Sequence, residues 1–254
     1  MTGGTAFLKK EFREILSTYK IYVIPAILLF FGLTSPLLAK LTPEILKSFA
    51  KDFIVKMPTP TAADAYLQFF KNLNQIGLLA VIFTSIGLVA EEKVRGTAAL
   101  LMTKPVPRWS FIVDKFIASA VLVLAATAVS YLACLYYTYV LFSDAVFAVS
   151  AQAVLLMIVY YLLILAVTIL ASVISRSVAL SGAISLGGFF VLSLLPSLHR
   201  WLAKYSPGAI PNYQNKLLQK TAVLGDALPC LLITLGATAA VLVLSVMIYK
   251  RQEL

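Results

Sequence analysis

Charge is scarce in this sequence. Asp, Glu, Lys and Arg make up 13% of its 254 residues, against about 25% in soluble domains. Histidine occurs once and cysteine twice. The single histidine, His199, stands beside Arg200 at the end of an apolar run and reads as a headgroup-level side chain, not a metal or catalytic group. Cys134 and Cys230 both fall inside apolar runs, without CxxC or Cys/His spacing, and read as buried free thiols. There is no GxxxxGK phosphate loop, no HExxH and no GxSxG. An enzymatic reading is left without a candidate nucleophile and base.

What is abundant is apolar sequence: 61% of residues are hydrophobic and the mean hydropathy is +0.93. A bilayer core of about 30 Å is crossed by roughly 20 apolar helical residues. Six runs of that kind lie at about 21–39, 73–90, 111–140, 151–174, 178–198 and 227–249. None alternates apolar and polar residues as membrane barrels do. The chain therefore reads as an all-α integral membrane protein with six transmembrane helices, forming one unit over 1–254 with no internal repeat. The first run is longer than a signal h-region and follows twenty residues with six charges, so it reads as a retained anchor.

No charged residue lies deep in any of these runs; Asp114 and Lys115 sit at the start of the third, and Asp226 precedes the sixth. Ion-coupled carriers keep costly ionisable groups inside the membrane, so a self-powered carrier is disfavoured. Energy for work against a gradient would come from another chain. The net charge of +10 is ordinary for residues flanking membrane spans beside anionic lipid headgroups, and no soluble basic domain is present to bind nucleic acid.

Six spans put both termini on one side. With termini in the cytoplasm, the inner segments 1–20, 91–110, 175–178 and 250–254 hold eleven Lys and Arg in 49 residues, against nine in 71 outside. That bias favours cytoplasmic termini.

Residues 7–19 place Leu8, Phe12, Ile15, Leu16 and Tyr19 on one helical face and Lys9, Lys10, Glu11, Arg13 and Glu14 on the other. The pattern predicts an amphipathic N-terminal interfacial helix within 1–20, or a soluble helix packed on a partner. The extracytoplasmic link 40–72 repeats Ile45, Leu46, Phe49, Phe53 and then Tyr66, Phe69, Phe70, Leu73 at helical spacing around the break MPTPT, which predicts two short surface helices. The link 199–226, with Pro207, Gly208 and Pro211, reads as a surface loop or a partial re-entry.

The densest chemistry lies between spans two and three, in EEKVRGTAALLMTKPVPRWS. Glu91 and Glu92 at the inner end of the second span oppose the helix dipole and need partners. Arg95 stands four residues beyond Glu91, a favourable spacing. Gly96 interrupts the helix, Thr97 can cap a new short one, and Lys104-Pro105 ends it. The result is an apolar knob, Leu100 and Leu101, in a basic collar that includes Arg108. Such a knob fits a partner's groove, or packs under its own bundle.

This stretch resembles the acidic pair, Gly-Thr, Leu-Leu, Lys-Pro and Arg signature in the first cytoplasmic loop of ABC type-2 exporter permeases, and the six-span layout is similar over the whole chain. The resemblance implies that 91–110 is a cytoplasmic coupling loop in which 96–104 form a coupling helix docking on a separate ATPase subunit. Glu91 and Glu92 would brace its base, with Arg95 and Arg108 contacting the partner or the inner surface. It also implies two ATPase copies carrying ATP and Mg, a second permease chain, identical or homologous, and a prokaryotic plasma membrane; no cofactor is expected in this chain.

In the fifth span, SGAISLGG has small residues four apart, which permits close helix approach at a dimer interface, along a pathway or within the subunit. In the family the second and fifth spans line the path, which makes Thr84, Ser85, Ser181 and Ser185 pathway candidates. Few polar groups there suit an amphipathic or hydrophobic cargo. A different class of function, a membrane scaffold or sensor recruiting a non-ATPase partner, would present the same loop and topology.

Overall fold

The computed structural model describes residues 3–49, 59–97, 107–142 and 147–252. All of its described elements are helical: α1 (Gly3–Ser17), α2 (Lys20–Phe49), α3 (Ala62–Asn72), a π turn (Leu73–Gly77), α4 (Leu78–Ser85), α5 (Ala90–Val94), α6 (Arg108–Leu141), α7 (Phe147–Ile174), α8 (Val178–Leu198), α9 (Arg200–Tyr205), a 3₁₀ turn (Pro207–Ala209), α10 (Ile210–Leu218) and α11 (Leu224–Arg251). Six helical stretches are long and apolar enough to cross a membrane: 20–45, 62–94, 109–141, 147–174, 178–198 and 224–251.

The spans match the six apolar runs, with one difference in the link at 40–72. Its two helical patterns are not separate surface helices. The first continues α2 to Phe49, through Pro25, Pro36 and Pro43, and the second is α3, which runs by way of the π turn into α4. Hydropathy placed the boundary at the last strongly apolar residue, whereas the helix itself continues to Phe49. Phe53 lies outside the described residues.

α7 is the hub. In its most apolar window 72% of residues are buried inside the protein, against 17% in α8 and 22% in α11. Around it α2 pairs with α6, α3 and α4 pack beside α2, and α11 and α8 flank α7. Two close approaches fix this packing. A Cβ on Gly32 would stand 2.4 Å from the Ser130 carbonyl oxygen, so glycine there sets how closely α2 meets α6. A Cβ on Gly77 would stand 2.5 Å from Tyr161 Oη, and that phenol donates to the Leu73 carbonyl in the π turn at 2.8 Å.

The link 199–226 folds back onto the bundle end. Pro207, Gly208, Ala209 and Ile210 are buried, and a Cβ on Gly208 would meet the Leu192 carbonyl of α8 at 1.9 Å. The buried Gln214 donates to the Ala153 carbonyl of α7 at 3.0 Å and accepts from Asn74 Nδ2 at 2.6 Å. Cys230 Sγ donates to the Ser206 carbonyl at 3.1 Å. Both cysteines are free and buried, as expected.

Candidate functional site

The opposite end of the bundle carries a buried cluster of charges. α1 packs along α6, with Phe7, Glu11 and Ile15 forming its buried ridge. The sequence pattern put Glu11 on a solvated face. Instead it is turned inward, because a cation from another helix neutralises it: Lys115 Nζ lies 3.1 Å from Glu11 Oε2. The same ammonium lies 2.9 Å from Glu92 Oε1. The Lys115 side chain is 1% exposed and that of Glu11 4%, so the pair is shielded from salt and water and bought at a high desolvation cost.

Lys10 closes the cluster from outside, at 2.9 Å from Glu11, 2.7 Å from Glu14 and 3.1 Å from Glu92. Partial burial works against the Lys10 charge, but hydrogen bonds to Glu14 and Glu11 outweigh it and raise its pKa. Burial likewise opposes the Glu14 charge, and the Lys10 hydrogen bond with the nearby Lys115 charge overcomes it, lowering the pKa. One carboxylate oxygen each of Glu11, Glu14 and Glu92 lie within 4.8 Å of one another, a spacing that could hold a cation. Two ammonium groups already supply that charge.

An aromatic stack anchors the cluster. Lys115 Nζ sits 5.1 Å from the centre of the Phe111 ring. Phe111 stacks on Tyr249 of α11, centroids 4.9 Å apart and 3° from parallel, and meets Phe7 of α1 at 5.5 Å. Two helices, α1 and α11, therefore converge on the first turns of α6.

Glu91, Glu92 and Lys93 each hold a different neighbour. Glu91 accepts from Arg95 at 2.6 Å, the four-residue pairing the spacing predicts. Glu92 faces α1 and α6. Lys93 Nζ donates to the carbonyls of Val173 at 2.8 Å and Ser175 at 3.1 Å, where the C-terminal end of α7 carries partial negative charge, and to Gln252 Oε1 at 3.1 Å.

The reason these residues can fan out is a break in span two. Between Ser85 and Ala90 the α-helix is interrupted by turns, and Ser172 of α7 fills the gap. Its Oγ accepts from Val89 N at 3.0 Å and Ala90 N at 2.9 Å and donates to the Ile86 carbonyl at 2.9 Å. Ser181 of α8 donates to the same carbonyl at 2.7 Å. The break corrects the dipole argument as well: Glu91 and Glu92 occupy the first turn of α5, not the last turn of a continuous span.

Beyond α5, Gly96 has φ +72°, the left-handed conformation that favours glycine, and the Thr97 hydroxyl donates back to the Glu92 carbonyl at 3.2 Å. Leu100, Leu101, Lys104 and Pro105 lie outside the described residues. Arg108 begins α6. Thr84, Ser85, Ser181 and Ser185 are all buried within the chain. Thr84 bonds back to Ala80 at 2.8 Å, and Ser185 to Ser181 at 2.7 Å. In SGAISLGG, Ser181 and Ser185 are turned into the chain, while Ala183 and Gly187 face outward.

Sequence reasoning missed Lys10, Glu11, Lys93, Lys115 and Ser172 as site residues. Lys115 left a signal: an ionisable residue within an apolar helical run is a functional candidate by default.

A helical bundle of six apolar spans, with a buried cluster of charged residues beside a broken span at one end, defines a multi-pass membrane protein. Residues 5–254 match the family described as ABC-2 family transporter protein, and the chain belongs to that family. It is also similar to the uncharacterized transmembrane protein YxlG of Bacillus subtilis (strain 168), 29% identical over 204 residues that cover 78% of this chain and 79% of the relative.

Proposed function

We propose that this chain is the membrane half of an ATP-driven exporter. It pairs with a second permease chain, identical or homologous, and with two ATPase subunits that carry ATP and Mg. It sits in a prokaryotic plasma membrane with both termini in the cytoplasm, where the basic residues concentrate and where α1 meets anionic headgroups. The bacterial origin of the YxlG relative and the family's transport role support this setting.

The observation that carries the reading is how the loop's base is tied. Glu92, at the start of the loop, bonds Lys115, just after its end, at 2.9 Å, and Lys93 bonds the ends of α7 and α11. A push on residues 96–104 therefore reaches α1, α6, α7 and α11 together, and the break at 86–89 lets α4 respond as a separate body. Movement of the spans on ATP-driven closure would carry an amphipathic or hydrophobic cargo outward.

Purifying the chain from its native membrane in mild detergent tests the proposal. An ATPase recovered at equal stoichiometry supports it; recovery alone, or with a partner lacking ATPase activity, moves the scaffold reading to first place.

A further inference from the structure

At the end of the bundle opposite the termini, α2, α3, the π turn, α8 and α10 enclose a cleft of about 1110 Å³. Its volume is just above the range of about 300–1,000 Å³ usual for small-molecule sites. The lining has an unusual chemistry: six carboxamides, Gln68, Asn74, Gln75, Asn212, Asn215 and Gln219, converge from three elements. One acid and one base, Asp64 and Lys71, also line it. The acid is already engaged, accepting from Thr61 N at 2.9 Å and from its hydroxyl at 2.8 Å. The opposite wall is aromatic, with Phe189 and Phe190 of α8.

The carboxamide wall is held in place. The π turn is a rare geometry that concentrates at functional sites, and it carries Asn74 and Gln75. Asn74 Nδ2 is fixed by the buried Gln214 at 2.6 Å, while Asn74 Oδ1 is buried and accepts no hydrogen bond among the described residues.

We infer that this cleft binds an amphiphile with a neutral, polyhydroxylated headgroup, of which a glycosylated lipid is the representative. Each carboxamide both donates and accepts, which matches a hydroxyl, also donor and acceptor, better than it matches a phosphate or an ammonium. One acid and one base give the lining a balanced formal charge, and the six carboxamides outnumber them as partners for a headgroup. Phe189 and Phe190 supply the surface for the sugar's C–H face or the first methylenes of the chain. The inference deepens the exporter reading by naming a cargo class, and the binding itself does not depend on any ATPase.

The test uses the full chain in a sugar-free detergent. An NBD-labelled diacylglycerol monoglucoside and an NBD-phosphatidylglycerol with the same acyl chains are titrated by fluorescence polarisation. Saturable binding of the glucoside at least tenfold tighter than the phosphatidylglycerol is expected. Gln68→Leu combined with Asn212→Leu should weaken it at least tenfold, the loss of about two net hydrogen bonds. Should that variant fail to fold, Gln68→Glu, which replaces the amide donor with a charged acceptor of the same size, should still weaken glucoside binding. Methyl glucoside should compete far less well than the lipid. Equal affinity for both lipids, unchanged binding in the folded variants, or equal competition by methyl glucoside would overturn the inference. Glucoside binding in a chain that recruits no ATPase would leave the inference standing and sink the exporter reading.

Discussion

Lys115 Nζ lies 2.9 Å from Glu92 Oε1, so residues at the two ends of the cytoplasmic loop are joined by a buried ion pair. Removing one partner leaves an uncompensated charge where water cannot reach it. Lys115→Met should destabilise the protein by about 3 kcal/mol, at the low end for such losses because Lys10 still reaches both Glu11 and Glu92. Thermal unfolding in detergent measures the loss, and limited proteolysis should show α1 cleaved faster. A double-mutant cycle with Glu92→Gln should return a coupling of about 1–3 kcal/mol; a coupling near zero would mean the two charges act separately.

Ser172 serves the break in span two alone. Ser172→Ala leaves the Val89 and Ala90 amides without their acceptor, at a cost of about 1–3 kcal/mol. Hydrogen exchange at residues 86–90 should rise well above that of the neighbouring turns. Ser181→Ala should have a smaller effect, since it removes only one of the two donors to the Ile86 carbonyl. Equal exchange in Ser172→Ala and the parent would show that the gap is filled by something other than this hydroxyl.

Two glycines give opposite expectations. Gly77→Ala pushes a methyl onto Tyr161 Oη, 2.5 Å away, and should cost about 1–3 kcal/mol by overpacking. Gly187→Ala meets nothing within 4 Å and should leave the melting temperature unchanged or slightly raised, as alanine is the better helix former. A matched pair of thermal unfolding curves checks both.

The docking of α1 should hold over a wide pH range. Glu14 has a lowered pKa, so its contribution is present above the ordinary glutamate value of about 4.3 and is lost only as pH falls through the lower, folded value. Lys10 has a raised pKa, so its contribution is present below about 10.4 and is lost only as pH rises through the higher, folded value. A spin-label distance between α1 and α6 should therefore be constant from about pH 5 to 10. A transition near neutrality would contradict the assignment of partners.

Much of the fold was legible because the bilayer demands long apolar runs, and six such runs allow few arrangements. The Glu91–Arg95 pair was legible as well, since its spacing lies within one helix. What could not be read joins residues far apart in the chain. Glu11 looks like a solvated charge until Lys115, on another helix, is placed against it, and the break at 86–89 is invisible without Ser172. Gly87 marks the break only weakly, because an isolated glycine is tolerated in a helix. The pathway serines were chosen for their position in the family's path; their buried hydrogen bonds depend on how α4, α7 and α8 meet.

The central claim is that the 96–104 segment seats on an ATPase and that the tied loop base carries the push into the spans. Leu100→Asp with Leu101→Asp would bury unpaired charge in the partner's groove, while the described bundle is left intact. The most direct measurement compares native-membrane purifications of the parent, this variant and Lys115→Met, quantifying the co-purified ATPase and its permease-dependent hydrolysis. The account predicts an ATPase at equal stoichiometry with the parent, its loss from the Leu100/Leu101 variant, and recovery with uncoupled hydrolysis for Lys115→Met. Undiminished ATPase recovery with the Leu100/Leu101 variant, with hydrolysis still coupled, would contradict it.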